Sequence, residues 1–169
     1  MTKLHVPHDK HPLNAESSEY GLETSMLRAK QEHELLRFEL HNIFEQACSL
    51  RQGKDDIGVN RDICKLSENV KIFMQDWNEH TSWEETELFP NAVRLLGAES
   101  DLYSLMGREY DLAERSIQAF MQSFDRTSLP LQRDEARRLA GYLIQAYAIM
   151  SNRFREEEEI MQELEEDIR

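Results

Sequence analysis

The sequence is poor in residues that break helices and in residues that bind polyanions. Its 169 residues include only 6 Gly and 4 Pro, which leaves long stretches without a breaker and favours helices. Lys and Arg total 20 against 33 Asp and Glu, and the formal net charge is −13. Because nucleic-acid binding needs clustered basic side chains, this balance argues against a nucleic-acid partner.

Long apolar runs, an apolar leader and a cysteine framework are also missing. No run of about eighteen apolar residues occurs, which predicts that nothing spans a membrane. The N-terminus lacks the apolar segment typical of a secretory signal. Cys48 and Cys64 make neither a disulfide framework nor a CxxC motif, so we expect two small buried residues in a reducing compartment. These absences predict one soluble cytoplasmic domain.

What the sequence does contain is a helical period in four long segments. These segments cover about 22–52, 61–95, 99–126 and 131–167. Gly53 and Gly97 are placed to end the first and second segments, and Pro90 is expected to kink or shorten the second. Apolar residues at three- and four-residue steps predict an all-α fold, an antiparallel up-down four-helix bundle with short connections.

The N-terminal residues differ from the rest. Residues 1–20 are polar, contain two prolines and show no helical period, which predicts a mobile arm before a bundle of residues 21–169. His5, His8 and His11 lie in this arm. They could touch a metal, but scattered histidines on a flexible arm are more often solvated.

One short pattern occurs twice, and only its first copy contains histidines. The first copy is Glu-His-Glu-Leu at 32–35, followed by His-x3-Glu-Glu-x2-Leu-Phe-Pro at 80–90. The second is Glu-Tyr-Asp-Leu at 109–112, followed by Asn-x3-Glu-Glu-x2-Ile-Met-Gln at 152–162. A repeated histidine–carboxylate pattern on paired helices indicates a two-metal site with pseudo-twofold symmetry. The missing histidines indicate that only half of the site is left, or none.

Several polar side chains interrupt the predicted apolar rows: His33, His80, Glu84 and Glu156. Residues four apart on a helix lie over the same patch, so His80 shares a volume with Glu84, and Asn152 shares one with Glu156. A buried carboxylate needs a metal, a cation or a hydrogen-bond donor. Two imidazoles and two carboxylates suit one divalent ion of iron, manganese or zinc.

A metal-free arrangement would use the same residues. Protonated histidines could pair with the two glutamates, and the Tyr110 hydroxyl and Asn152 amide could close the network. Such a network needs no cofactor, so the residues alone leave both interpretations open.

The residues of the first copy resemble a known family. The segment at 80–90 is similar to the second-helix signature of the hemerythrin-like, HHE cation-binding family, and the start at Glu32 and His33 resembles that family's first ligand. The resemblance covers about 22–165. It implies an up-down four-helix bundle whose core holds two irons, bound by histidines and bridged by carboxylates. Members carry or sense dioxygen, handle nitric oxide or iron, or serve as signalling domains.

Carried over to this sequence, the resemblance implies a ligand set for the first half-site. His33, His80 and Glu84 match ligand positions, and Glu156 matches the fourth-helix carboxylate that bridges the irons.

The second half-site departs from the family pattern. Tyr110 and Asn152 stand where histidines are expected, and Glu114 stands where some members have a further histidine. Tyr110 could ligate ferric iron as a phenolate, although its ordinary pKa of about 10 makes it a poorer partner for ferrous iron. A di-iron site and reversible dioxygen carriage, which uses both irons, are therefore not expected.

Three functions follow from these residues. The first is a mononuclear metal-binding protein for redox or gas sensing or for metal handling, with Tyr110 as a ligand or a neighbouring hydrogen-bond donor. The second is a metal-free interaction or regulatory module. The third is a dimetal enzyme or oxygen binder that recruits Tyr110 and Glu114. No catalytic residue is predicted, whether the protein is an enzyme stays open, and a protein partner or homodimer is compatible with all three functions.

Overall fold

The computed structural model describes residues 13–53, 57–96 and 100–168, and these are helical apart from short connections. The elements are α1 (Leu13–Gln52), α2 (Val59–Trp83), a π-helical turn (Glu84–Leu88), α3 (Phe89–Leu96), α4 (Ser100–Arg126) and α5 (Arg133–Ile168). The described ranges contain no strand, which confirms the all-α prediction. None of the helices in these ranges has the length and apolarity needed to cross a membrane.

The prediction of a mobile arm over residues 1–20 is wrong for residues 13–20, which are helical. Helix α1 begins at Leu13, because no Gly or Pro occurs between that residue and Tyr20 to stop a helix from extending. His5, His8 and His11 lie outside the described residues.

The connection between the first two helices begins at Gly53, as the sequence predicts. Helix α1 ends at Gln52, and the Gly53 N–H donates to the Ser49 carbonyl oxygen at 2.9 Å. Gly58 precedes α2 with a φ of 83°, a left-handed conformation that side chains with a Cβ rarely adopt. The second predicted stop, Gly97, lies outside the described residues.

Pro90 alters the second helical segment without ending it. The residues before it widen into the π-helical turn, in which the Phe89 N–H donates to the Glu84 carbonyl oxygen, five residues back. Proline has no N–H to donate and its ring crowds the preceding turn, so a wider turn lets the chain continue as helix. The helix therefore passes through Pro90 into α3, and Glu84 begins the wide turn.

The buried apolar residues form two clusters. The larger includes Leu36, Phe73, Trp77, Ile117, Phe120, Leu139 and Phe154. The smaller consists of Leu22, Met26, Ala29, Trp83, Leu88, Ala92 and Met161. α1, α2 and α5 each contribute residues to both clusters. In each of these helices, the turn between the two sets of residues carries a buried polar residue. A polar layer thus lies between two apolar layers.

The long helices contact one another in five pairings: α1 with α2, α1 with α5, α2 with α4, α2 with α5, and α4 with α5. Two ion pairs join α1 to α5 at the surface. Lys30 Nζ lies 2.8 Å from Glu165 Oε1, and Arg37 Nη2 lies 2.8 Å from Glu158 Oε2. Ion pairs of this kind stabilise a fold little, so the orientation of α5 is set mainly by its buried apolar row.

The different burial of Phe73 and Phe38 predicts a large difference in stability between their truncations to alanine. Phe73 has no exposed surface, whereas Phe38 is 65% exposed. We expect Phe73→Ala to lower the free energy of unfolding by about 3–5 kcal/mol, because it removes buried surface and leaves a cavity. Phe38→Ala should change it by about 0.5 kcal/mol or less. Urea denaturation followed by circular dichroism measures both, and equal losses would contradict the described packing.

Candidate metal centre

Three of the predicted site residues meet in the polar layer between the two apolar clusters. His33 of α1, His80 of α2 and Glu84 of the π-helical turn are all buried. The two Nε2 atoms lie 2.9 Å apart, and Glu84 Oε1 lies 3.2 Å from that of His33 and 2.6 Å from that of His80. Two imidazoles and one carboxylate therefore point at one small volume.

The fourth predicted residue, Glu156, does not face this volume. Its side chain is 37% exposed and binds Arg153 and Asn152 on the outside of α5. Its neighbour Glu157 is 1% exposed, and its Oε1 lies 3.5 Å from His33 Nε2. The carboxylate that completes the cluster is Glu157.

The physical reason is the register of the buried row on α5. This row runs through Leu143, Ala146, Met150, Phe154 and Met161. Glu157 is three residues after Phe154 and four before Met161, so it continues the row. The predicted row through Ile149 and Ile160 is one residue off, which on a helix is a rotation of about 100°. Phe154, three positions before Glu157, is the residue from which the correct buried row could have been predicted.

The same shift in register places Asn152 outside. Its side chain is exposed, donates to Glu156 Oε1 at 3.0 Å and accepts from Arg155. The predicted role of Asn152 in closing a buried network is therefore wrong.

Tyr110 lies beside the cluster as a hydrogen-bond donor. Its hydroxyl donates to Glu157 Oε2 at 2.8 Å, and its ring is buried. Burial raises the pKa of Tyr110 above its ordinary value, and the carboxylates of Glu157 and Glu84 raise it further. The hydroxyl therefore keeps its proton and holds one oxygen of Glu157, which leaves Oε1 to face the histidines.

Glu114 has a different partner. Its Oε1 accepts a hydrogen bond of 2.6 Å from the Trp77 indole N–H. The Trp77 ring packs edge-on against Tyr110, with centroids 4.6 Å apart. Glu114 thus fixes the Trp77 indole, and the Trp77 ring in turn packs against Tyr110.

Sequence reasoning missed the role of Glu32. Its Oε2 lies 2.9 Å from His80 Nδ1, and because a carboxylate only accepts, Nδ1 carries the proton. This contact aims the other nitrogen, Nε2, at the cluster. The signal was present, since Glu32 directly precedes His33 on α1 and lies on the side of α1 that meets α2.

The charges of the two histidines differ. Burial lowers the pKa of His33 to about 4, so this ring is neutral near pH 7. The pKa of His80 is raised: burial works against its charged form, but hydrogen bonds to Glu84 and Glu32 outweigh that effect. Without a metal, His80 is the cation that compensates the buried carboxylates.

Two buried atoms of the cluster lack partners among the described residues. They are His33 Nδ1 and Glu157 Oε1. If His33 carries its proton on Nδ1, a buried donor has no acceptor; if on Nε2, Nδ1 is a buried acceptor without a donor. Burial raises the pKa of Glu157 to about 8, and the nearby Glu84 carboxylate raises it as well. A proton between Glu157 and Glu84 can satisfy these carboxyls, whereas His33 Nδ1 keeps no partner among the described residues.

A cavity of about 250 Å³ opens beside the cluster. Buried Glu84 and Tyr110 form part of its wall, and Glu85, Asp111 and Glu114 line the rest of its acidic surface. Water and small cations can approach the cluster from this side, whereas anions are disfavoured.

Comparison with known proteins adds no relative: no protein-family model, curated protein or solved structure matches this chain. The chemistry of the cluster therefore rests on its own geometry. One ligand atom from each of His33, His80, Glu84 and Glu157 lies within 4.8 Å of the other three.

The raised pKa of Glu157 predicts how the metal-free protein responds to pH. Its folded pKa of about 8 exceeds the ordinary 4.5, so stability from this group is present below pH 4.5 and lost as pH rises through 8. The depressed pKa of His33 acts oppositely, but only between about 4 and 6.5. In chelator, the free energy of unfolding should therefore fall from pH 6.5 to 8.

The matched variants are Glu157→Gln and Glu156→Gln. The first should make that decline shallower, because it removes one titrating group while His80 still contributes; the second should leave it unchanged. Urea unfolding at several pH values measures the slopes. Identical slopes in Glu157→Gln and the unaltered protein would show that the carboxyl is not buried as described.

Proposed function

We propose that this chain is a mononuclear metal-binding protein. His33, His80, Glu84 and Glu157 would hold one divalent ion of iron, manganese or zinc. Two neutral nitrogens and two carboxylates balance a divalent charge and match the ligand preferences of these metals. The observation that carries the proposal is the convergence of these four buried groups from three helices on one point.

The dimensions of the cluster support a single ion. Ligand atoms about 2.0–2.2 Å from a tetrahedral ion lie roughly 3.3–3.6 Å apart. The distances from His33 Nε2 to the facing atoms of His80, Glu84 and Glu157 are 2.9, 3.2 and 3.5 Å. An ion would therefore have to separate these groups by less than about 1 Å. It would also face Glu157 Oε1, which without an ion lies beside the Glu84 carboxyl and 3.5 Å from His33 Nε2.

The contacts around the ligands support the same proposal. Glu32 orients His80, and Tyr110 orients Glu157, each through the atom that faces away from the cluster. Such outer hydrogen bonds fix ligand geometry and tune affinity in metal sites. When bound, the ion would supply Lewis acidity or, for iron and manganese, a change of oxidation state. Redox or gas sensing and metal handling are the roles that such a site suits.

We further propose that the helices form an antiparallel up-down four-helix bundle of the hemerythrin-like kind. In support, contacts between α1 and α2 run in opposite directions along the chain: Arg28 lies over the Trp83 ring, and Asn69 donates to Gln46. The α1–α5 ion pairs run in opposite directions too. The histidine–carboxylate segment at 80–90 is the second reason. Membership of that family and a cytoplasmic location remain predictions from the sequence.

One observation favours a second function, a metal-free interaction or regulatory module. Both ring nitrogens of His80 lie within hydrogen-bond distance of carboxylates, Glu32 at 2.9 Å and Glu84 at 2.6 Å. A protonated His80 is thus satisfied without an ion. In that case the cluster would only hold α1, α2 and α5 together.

Metal content separates the two functions. We expect protein purified without an affinity tag to contain about one iron, manganese or zinc per chain, and a chelator to lower its melting temperature. His80→Ala should weaken binding at least about 100-fold, since even outer-shell losses cost 10–100-fold. Glu157→Gln should weaken it strongly and Glu156→Gln should not. Elemental analysis and titration calorimetry are the measurements. Purified protein that contains no metal, binds none of these ions and has the same melting temperature with and without chelator would support the metal-free module instead.

Tyr110→Phe tests whether this residue orients a ligand or is one. We expect the variant to keep one ion per chain with roughly 10–100-fold lower affinity, because Glu157 loses its orienting donor. The unaltered protein, loaded with ferric iron, should show no visible charge-transfer band from a phenolate ligand. Tyr147→Phe, whose ring stacks on Phe44 away from the cluster, is the control. A visible band that disappears only in Tyr110→Phe would mean direct ligation.

A further inference from the structure

Helix α1 has a second apolar face, on the side opposite its buried row. Tyr20, Leu27, Leu35 and Phe38 are 73%, 56%, 54% and 65% exposed. At about 100° per residue, the two aromatic residues and Leu27 fall within roughly 20° of one another, and Leu35 lies about 60° to one side. We call these four residues the outer stripe.

Single exposed apolar residues are ordinary, but four large ones on one helix face, with only Thr24 and Gln31 between them along its centre, are not. Contiguous apolar patches on soluble domains commonly mark interaction sites. The stripe does not belong to the metal cluster, because His33 lies on the opposite side of α1.

We propose that the outer stripe binds the outer stripe of a second copy of this chain, with the two α1 helices antiparallel and Gln31 at the twofold axis. A twofold interface requires a self-complementary surface, in which residue i meets j and j meets i. The two leucines of the stripe have this property, since Leu27 and Leu35 lie four residues to either side of Gln31. The same alignment places Phe38 opposite Thr24 and Tyr20 opposite Asn42. Leucine would therefore meet leucine, and each Phe38 would cover a small Thr24.

The charges beside the stripe fit the same pairing. On the flank of α1 that faces α5, antiparallel alignment about Gln31 brings Lys30 of one copy near Glu34 of the other, and Glu23 near Arg37. Each contact occurs twice and joins opposite charges. Lys30 and Arg37 also bind α5 within their own chain, yet 38% and 39% of their side-chain surface is exposed. A parallel pair would instead place each charge beside its own copy.

The area is sufficient for a modest dimer. Aromatic side chains bury roughly 150–250 Å² each, so two aromatics and two leucines at these exposures offer on the order of 500 Å² per chain. Two copies would bury about 1,000 Å², the lower end for a specific interface. We therefore expect a reversible dimer with a dissociation constant on the order of micromolar.

Sedimentation of the full chain with and without chelator tests the pairing separately from the metal. The unaltered protein should change from monomer to dimer between about 0.1 and 100 µM in both conditions. Leu35→Glu should weaken dimerisation at least about tenfold by burying a charge in the stripe. Leu112→Glu is the matched control, since Leu112 is also 54% exposed but lies on α4. A protein that stays monomeric at 100 µM, or equal weakening by the two variants, would falsify the proposal.

Cysteine crosslinking tests the orientation. Gln31→Cys places both new thiols at the axis, so mild oxidation should give a crosslinked dimer. Thr24→Cys places them about 21 Å apart along antiparallel helices, beyond disulfide reach. The unaltered chain under the same oxidation controls for Cys48 and Cys64. Crosslinking of Thr24→Cys would mean a parallel pair, in which every residue lies beside its own copy, and would overturn the antiparallel assignment; failure of Gln31→Cys to crosslink would overturn it as well.

Discussion

The structure depends on how two carboxylates are kept inside an apolar core. Glu84 and Glu157 lie between two hydrophobic clusters, where an isolated negative charge would be far less stable than in water. Each carboxylate must be protonated, face a cation or bind a metal. His80, held by Glu32, is the cation that the chain itself provides. A divalent ion would satisfy both carboxylates and both imidazoles together, and binding of such an ion would stabilise the fold.

The surrounding contacts decide which atoms are available to an ion. Tyr110 occupies one oxygen of Glu157, and Glu32 occupies one nitrogen of His80, so each ligand presents its remaining atom to the centre. The α1–α5 ion pairs through Glu158 and Glu165 lie outside, which is consistent with Glu157 turning inward. The π-helical turn lets the helix continue past Pro90 while Glu84, its first residue, stays buried. None of these contacts is strong alone, but they act on the same few side chains.

The sequence predicted the helices because burial repeats along them with a helical period. It also predicted that His33, His80 and Glu84 would meet, since each interrupts an apolar row. The choice between Glu156 and Glu157 failed because adjacent glutamates differ by only about 100° in direction, and the isoleucines of α5 suggested the wrong row. Periodicity alone does not report the partner of a side chain. The orienting role of Glu32 and the hydrogen bond from Tyr110 depend on distances between helices, which no pattern within one helix contains.

The second copy of the repeated pattern supports the proposal of one ion rather than two. On α4 the position equivalent to His33 is Tyr110, whose pKa is raised by burial and by the carboxylates around it. A phenol that keeps its proton donates a hydrogen bond, whereas an imidazole in its place could offer a lone pair. Glu114 is already bound to Trp77, and Asn152 faces solvent. The α4 side of the cluster therefore supplies one hydrogen-bond donor, the Tyr110 hydroxyl, to Glu157. Among the described residues, the four buried groups that could hold a metal lie on α1, α2, the π-helical turn and α5.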